Sequence, residues 1–197
     1  MAKPRRPQPL LIRITHWINV PVLAILAMSG LQIFLAYPFF GPRGAEYDWV
    51  PLSGWMPPEW IRAGGWLAGA RHLHFAFMWV LVINAAIYVI YLAASGEWRR
   101  RLLWRNQARQ RYNRLQRAAY TGALVLGIAE VLSGLAMWKP VQLHRLTWLM
   151  GGFDGARVIH FLAMLGLFGF VIGHVIMVIV HWRKFPEMIT GGKREDA

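Results

Sequence analysis

The chain has 197 residues, one domain's worth of length, of which 56% are hydrophobic and 16% charged, yet 22 Lys and Arg against 9 Asp and Glu leave a formal net charge of +13. A chain both apolar and basic fits a membrane protein with its cations at the ends of its spans. With no Cys and seven His, disulfides, thiolate zinc sites, thiolate-held iron–sulfur clusters and covalently attached c-type haem are excluded, and the histidines are the strong nitrogen ligands that remain.

A helix needs about 20 mostly apolar residues to cross a bilayer. Four spans are predicted in chain order, at about 10–38, 72–96, 118–138 and 157–182. Residues 14–38, 72–96 and 158–182 carry no formal charge, and 118–138 carries one, Glu130. Lipid cannot satisfy a bare backbone, so each span is a helix. The fold class is therefore all-α, a membrane four-helix bundle forming one transmembrane domain over 1–197. Lys3, Arg5 and Arg6 precede the first apolar run as they would in a signal peptide, but that run exceeds the roughly 7–15 residues of a signal core and contains His16 and Gln32, so it reads as a retained helix opening near Pro9.

Cations set the orientation. Lys3, Arg5, Arg6 and Arg13 precede or open span one; Arg99, Arg100, Arg101, Arg105, Arg109, Arg111, Arg114 and Arg117 fill the link between spans two and three; Arg183, Lys184, Lys193 and Arg194 come after span four. Only Arg43, Arg62, Arg71, Lys139, Arg145 and Arg157 fall on the other side. The positive-inside rule puts both termini and the Arg-rich link in the cytoplasm. The basic link is explained by topology and anionic lipid headgroups, with no nucleic acid partner required.

The second half repeats the first. Gly69-Ala70-Arg71-His72-Leu73-His74-Phe75 aligns with Gly155-Ala156-Arg157-Val158-Ile159-His160-Phe161, and Ser29-Gly30-Leu31 with Ser133-Gly134-Leu135. Spans one–two and three–four thus read as two copies of a helical hairpin. An arginine lies three residues before a ring-bearing residue at each helix start: Arg13 and His16, Arg71 and His74, Arg117 and Tyr120, Arg157 and His160. That spacing shares a helix face. Each arginine could merely snorkel to the headgroups; recurring one turn outside a buried imidazole, Arg13, Arg71 and Arg157 are also where haem propionates would need partners.

His160 and His174 lie within about 40° of each other on one helix and about 21 Å apart along it. Spans two and four both run inward from the outer face, so His74 matches His160 in depth, and His16 matches His174 if span one opens near Pro9. A single intramembrane His is ordinarily a hydrogen-bonded packing residue. Two depth-matched pairs point instead to two haem b groups, each held by two imidazoles. Zinc would want several ligands at one depth. His72 lies about 200° around the helix from His74, and pairing His16 with His181 would stretch the haem separation to roughly 31 Å. His144 is expected to be solvated.

Glu130 is expensive at mid-span, and two readings stand even: a functional acid, or a protonated side chain bonded to a neighbouring helix. Gly30, Gly122, Gly127, Gly134, Gly166, Gly169 and Gly173 would permit close approach of helices or of a macrocycle. The first outer connection, 39–70, is 18 residues longer than its counterpart and holds Tyr47, Trp49, Trp55, Trp60 and Trp66 with Pro42, Pro51, Pro57 and Pro58. It is either an interfacial aromatic belt or a lid or docking surface.

The run Arg13-Ile14-Thr15-His16-Trp17-Ile18-Asn19, Ser29-Gly30-Leu31, the arginine–histidine opening of span two, the His160 and His174 pair, and Asn113-Arg114-Leu115-Gln116-Arg117 before Tyr120 together resemble bacterial integral-membrane dihaem cytochrome b subunits, such as those of thiosulfate reductase, Ni,Fe-hydrogenase and formate dehydrogenase. The resemblance covers all four spans. It implies a subunit that relays electrons between membrane quinone and an extracytoplasmic redox enzyme, with the outer haem on His74 and His160 and the inner haem on His16 and His174. Quinone would bind near the inner haem, making Trp17 and Asn19 candidates for lining its site. The aromatic outer loop looks most like the thiosulfate-reductase group, some of whose members serve molybdopterin oxidoreductases; the short tail and this loop count against a hydrogenase partner. The alternative is a self-contained superoxide- or quinone-reactive dihaem cytochrome. A haem-free transporter would leave the paired histidines unexplained.

Overall fold

The computed structural model describes residues 8–96, 98 and 111–191, and only the backbone of 111–117 and Lys184. Lys3, Arg5, Arg6, the link arginines from Arg99 to Arg109, Lys193 and Arg194 lie outside the described residues, as do the side chains of Arg111, Arg114 and Arg117. Regular structure among the described residues is entirely helical: α1 (Leu10–Phe34), α2 (Leu67–Ser95), α3 (Arg111–Trp138), a short α4 (His144–Leu149), α5 (Gly152–Val180) and a four-residue α6 (Glu187–Thr190), with 3₁₀ turns at Glu59–Ile61 and Trp182–Lys184. α1, α2, α5 and the Ala118–Trp138 part of α3 are long and apolar enough to cross a membrane. Their outward surfaces are apolar, as a lipid-facing surface requires; Ile83, Ile90, Val125, Ile128, Ile176 and Ile179 are all exposed.

The helix ends differ from the hydropathy reading for local reasons. α1 opens after Pro9 as expected, but closes at Phe34 instead of running to 38. Ala36 N–H and Tyr37 N–H bond back to Ile33 and Phe34 in tight turns, and Pro38 disfavours helical backbone at Tyr37. α2 begins at Leu67, five residues before its uncharged stretch, because the left-handed Gly64 and Gly65 (φ +99° and +67°) reverse the chain just upstream. Gly64 has no alternative there, since a Cβ would lie 2.4 Å from the Ala70 Cα. α5 likewise opens at Gly152, after a left-handed Gly151.

Helix packs on helix within each hairpin, α1 on α2 and α3 on α5. The α1–α2 pair is fixed by a polar knot. Buried Asn84 donates through Nδ2 to the Thr15 carbonyl (2.8 Å) and to Asn19 Oδ1 (2.7 Å), while Thr15 returns its own hydroxyl to the Leu11 carbonyl (3.0 Å). The hairpins meet through side chains. At the outer end Phe34, Phe40, Val50, Val158 and Phe161 form a buried cluster, with Phe34 stacked on Phe161 (centroids 5.2 Å) and Phe40 against the same ring (4.8 Å). Phe40 and Val50 belong to the long outer connection, so its inner side closes the bundle. Glu46 stiffens the loop by accepting the Gly44 N–H (3.1 Å) and the Tyr37 hydroxyl (3.2 Å), bonds that hold its carboxyl below the ordinary carboxylate range.

Asn84 contributes the cross-helix bonds of the first hairpin, and intramembrane hydrogen bonds of this kind are each worth about 1 kcal/mol. Asn84→Ala is expected to lower the unfolding free energy of the detergent-solubilised protein by about that much per bond lost, read from the midpoint of an SDS titration; an unmoved midpoint would mean that the unfolded hairpin finds equal partners.

Candidate functional site

Two histidine pairs bridge the hairpins. His74 of α2 faces His160 of α5 with ring centroids 6.3 Å apart and planes at 63°. His16 of α1 faces His174 of α5 at 5.9 Å and 65°. On α5 the two levels are fourteen residues, about 21 Å, apart. His74 lies about two turns inside α2 and His160 about two turns inside α5, deeper than the first-turn positions read from hydropathy; both helices start earlier by a similar amount, so the depth match is kept.

The outer pair is held by one motif used twice. Ser29 donates its hydroxyl to the Ile25 carbonyl (2.7 Å) and lies 3.0 Å from His74 Nδ1. Ser133 donates to the Ala129 carbonyl (2.6 Å) and lies 3.0 Å from His160 Nδ1. The Leu26 carbonyl also bonds the His74 ring, and the Glu130 carbonyl is 3.1 Å from His160 Nδ1. A carbonyl oxygen can only accept, so His160 Nδ1 carries the proton; at His74 the Ser29 hydroxyl, already donated to Ile25, can only accept from Nδ1, and each Nε2 keeps its lone pair. That tautomer is the one that ligates a metal through Nε2. The repeated Ser-Gly-Leu has a second use. A Cβ on Gly30 would sit 3.5 Å from His74 Cε1, and one on Gly134 would sit 3.4 Å from His160 Cε1, ordinary contact in both cases, so each imidazole packs close to the backbone of the neighbouring helix at its glycine.

These residues fit a haem. Two imidazoles bound at about 2 Å on opposite sides of one metal have centroids about 6 Å apart, as both pairs do. Gly169 and Gly173 are exposed positions where an added Cβ would touch nothing within 4 Å, and they lie about 140° and 100° around α5 from His174; Gly166 packs on Leu126 (3.1 Å) and serves the α3–α5 contact. No cluster of three or more His, Asp or Glu placed to hold a metal ion occurs among the described residues. His72, His144 and His181 are not in either pair; His72 and His144 are exposed, and His181 bonds the Met177 carbonyl at the end of α5.

Other expected residues have additional or different contacts. Arg157 donates to the Tyr37 (2.9 Å) and Phe39 (3.2 Å) carbonyls and lies over the Tyr37 and Phe40 rings, tying the outer loop to α5. Arg13 donates to the Ile189 carbonyl, and Trp17 Nε1 to that of Met188 (3.1 Å), so both fasten α6 to the start of α1. Arg71 is exposed, over Phe75. Trp17 stacks on His16 (5.3 Å, 5°) with Phe185 at its edge (6.0 Å). Asn19 is engaged by Asn84. Sequence reasoning assigned no job to Ser29 and Ser133, although their repetition was the signal.

Gly134→Ala is expected to be tolerated, because its methyl would be in ordinary contact with the His160 ring. Gly134→Leu should push that ring aside and lower haem content measured by pyridine haemochrome; full haem content in the leucine variant would show that the glycine does not set the ring position.

A comparison with protein families matches residues 8–191 to the family described as prokaryotic cytochrome b561. A protein of Azospira oryzae named as the putative protein-methionine-sulfoxide reductase subunit YedZ1 is 38% identical over 206 aligned residues, covering 93% of this chain and 95% of the relative. With four apolar helices, two facing histidine pairs and a match over nearly its whole length, the chain belongs to the prokaryotic cytochrome b561 family, membrane proteins that bind b-type haem.

Proposed function

We propose that this chain is the membrane electron-transfer subunit of an oxidoreductase, with two b haems, linking the quinone pool to an extracytoplasmic partner enzyme. The observation that carries this reading is the pair of histidine couples at 6.3 and 5.9 Å on two levels of one helix. His74 and His160 hold the outer haem, and His16 and His174 the inner one. When bound, two bis-imidazole haems supply one-electron transfer with no open iron position, across much of a hydrocarbon core about 30 Å thick.

The chain's own residues divide the remaining work. Ser29 and Ser133 fix the outer imidazoles in the ligating tautomer. The Phe34, Phe40 and Phe161 cluster seals the outer end against water. Of the three arginines expected beside propionates, Arg71 is the one we assign, because it is exposed one turn outside His74 while Arg13 and Arg157 are engaged by backbone carbonyls. Trp17 walls the inner pair beside His16 and is the residue we assign to the quinone site; Asn19 belongs to the helix pairing.

Both termini are assigned to the cytoplasm from the charge distribution. The partner then docks on the opposite face, where Trp49, Trp60, Trp66 and Trp148 are exposed. The Azospira relative's name points to a protein-methionine-sulfoxide reductase as that partner, of the molybdopterin type expected from the resemblance. Electrons then run outward: quinol gives two electrons and two protons, and the sulfoxide takes two of each to become a thioether and water.

Protein purified in mild detergent is expected to give about two b haems per chain by pyridine haemochrome, and His174→Ala about one. Loss of neither haem in that variant would overturn the ligand assignment, and a colourless wild-type protein would overturn the function. Added quinol should reduce the wild-type haems within the mixing time of a spectrophotometric assay, with Trp17→Ala slowed; failure of quinol to reduce the wild-type protein would remove the quinone link.

A further inference from the structure

The two halves of the outer site make corresponding serine and carbonyl contacts and differ there in one polar side chain. Ser29 and Ser133 correspond across an offset of 104 residues, as do Ile25 and Ala129, whose carbonyls take the serine hydroxyls. The same offset carries Leu26 onto Glu130. Each presents its backbone carbonyl to a histidine ring, Leu26 to His74 and Glu130 to His160 Nδ1, but Glu130 adds a carboxyl oxygen, Oε2, 2.8 Å from His160 Nδ1. Its other oxygen, Oε1, is buried with no partner among the described residues, so His160 is the carboxyl's one polar contact there. A helix-pairing acid would bond to a backbone or side-chain donor away from the ligands. This one reaches the neighbouring helix α5 at the ring of a candidate haem ligand.

We propose that Glu130 is a positioning residue that sets the reduction potential of the haem held by His74 and His160, holding it lower than the Ser29-type contact alone would. This rests on the haem reading above. A carboxyl oxygen accepting from the Nδ1–H draws that proton away from the ring and raises the electron density at Nε2. A more basic axial ligand favours ferric over ferrous iron, and the low dielectric of the membrane interior strengthens the effect. His74 has a serine and a carbonyl in the same positions but no acid, so the bias enters through His160 alone.

The test is a spectroelectrochemical titration of the full-length wild type, Glu130→Gln and Glu130→Leu, the last restoring the residue of the first half. Ser133 and the residue-130 carbonyl remain in both variants to hold the Nδ1–H, so the haem should be retained. One of the two haems is expected to shift about tenfold toward the reduced form, which for a one-electron couple is about 59 mV upward, and the same shift should persist in a His174→Ala background that lacks the inner haem. Two haems with unchanged potentials in both variants, or a downward shift, would overturn the tuning role while leaving the dihaem reading intact. Loss of the outer haem in Glu130→Gln would also overturn it, making the carboxyl a structural support of His160. A wild type without haem would instead sink the functional reading on which this rests.

Discussion

The outer site depends on a serine whose hydroxyl is already spent. Inside a bilayer a Ser side chain satisfies itself by donating to the carbonyl one turn back, as Ser29 and Ser133 do at 2.7 and 2.6 Å. The oxygen is then only an acceptor, and it faces a histidine on the neighbouring helix. That one-way bond decides which ring nitrogen carries the proton, fixes the ring's orientation and leaves Nε2 turned toward the opposite hairpin. At the glycine after each serine an added Cβ would come only into ordinary contact with the ring, at 3.5 and 3.4 Å, so the helix backbone passes close to each imidazole. Helix packing, tautomer and ligating ability therefore all stem from one tripeptide used twice.

The two hairpins are consequently organised around the space between their imidazoles. Within a hairpin, backbones approach and polar groups interlock, as at Asn84, Thr15 and Asn19. Between hairpins rings meet, His16 with His174, His74 with His160, Phe34 and Phe40 with Phe161, Phe75 and Trp79 with Trp138, and Arg157 adds its bonds to the Tyr37 and Phe39 carbonyls. The long outer connection supplies part of that seam from its inner side and leaves its tryptophans exposed, so the same segment both closes the bundle and offers a surface. At the inner end α6 returns to the start of α1, where Arg13 and Trp17 take its terminal carbonyls, cations and donors being favourable at a helix C-terminus.

Residues of one type take different roles here because their surroundings differ. Arg13 and Arg157 occupy equivalent places ahead of a histidine, yet each finds carbonyls left unpaired where a neighbouring segment ends, and Arg71 finds a ring face. Gly166 packs a helix while Gly169 and Gly173, a turn or two away, border open space. Glu130 differs from its counterpart Leu26 by one side chain, and that difference makes the two halves of a near-symmetric site chemically unequal.

Four spans, the all-helical class, the hairpin repeat and the candidate histidines are legible in the sequence, because hydrophobic length and the 3.6-residue period are properties of a helix by itself. The choice of His174 over His181 is readable for the same reason, since rise along one helix is arithmetic. The end of α1 at Phe34, and the opening of α2 at Leu67 instead of 72, depend on turns where glycine conformation and a proline outweigh hydropathy. The sequence also contains the repeated Ser-Gly-Leu and the lone Glu130 without indicating their partners. Those partners lie on other helices, 45 and 27 residues away for the serines, and only the lateral packing of one helix on the next, which no periodicity encodes, decides that a hydroxyl, a carbonyl and a carboxyl converge on one ring nitrogen.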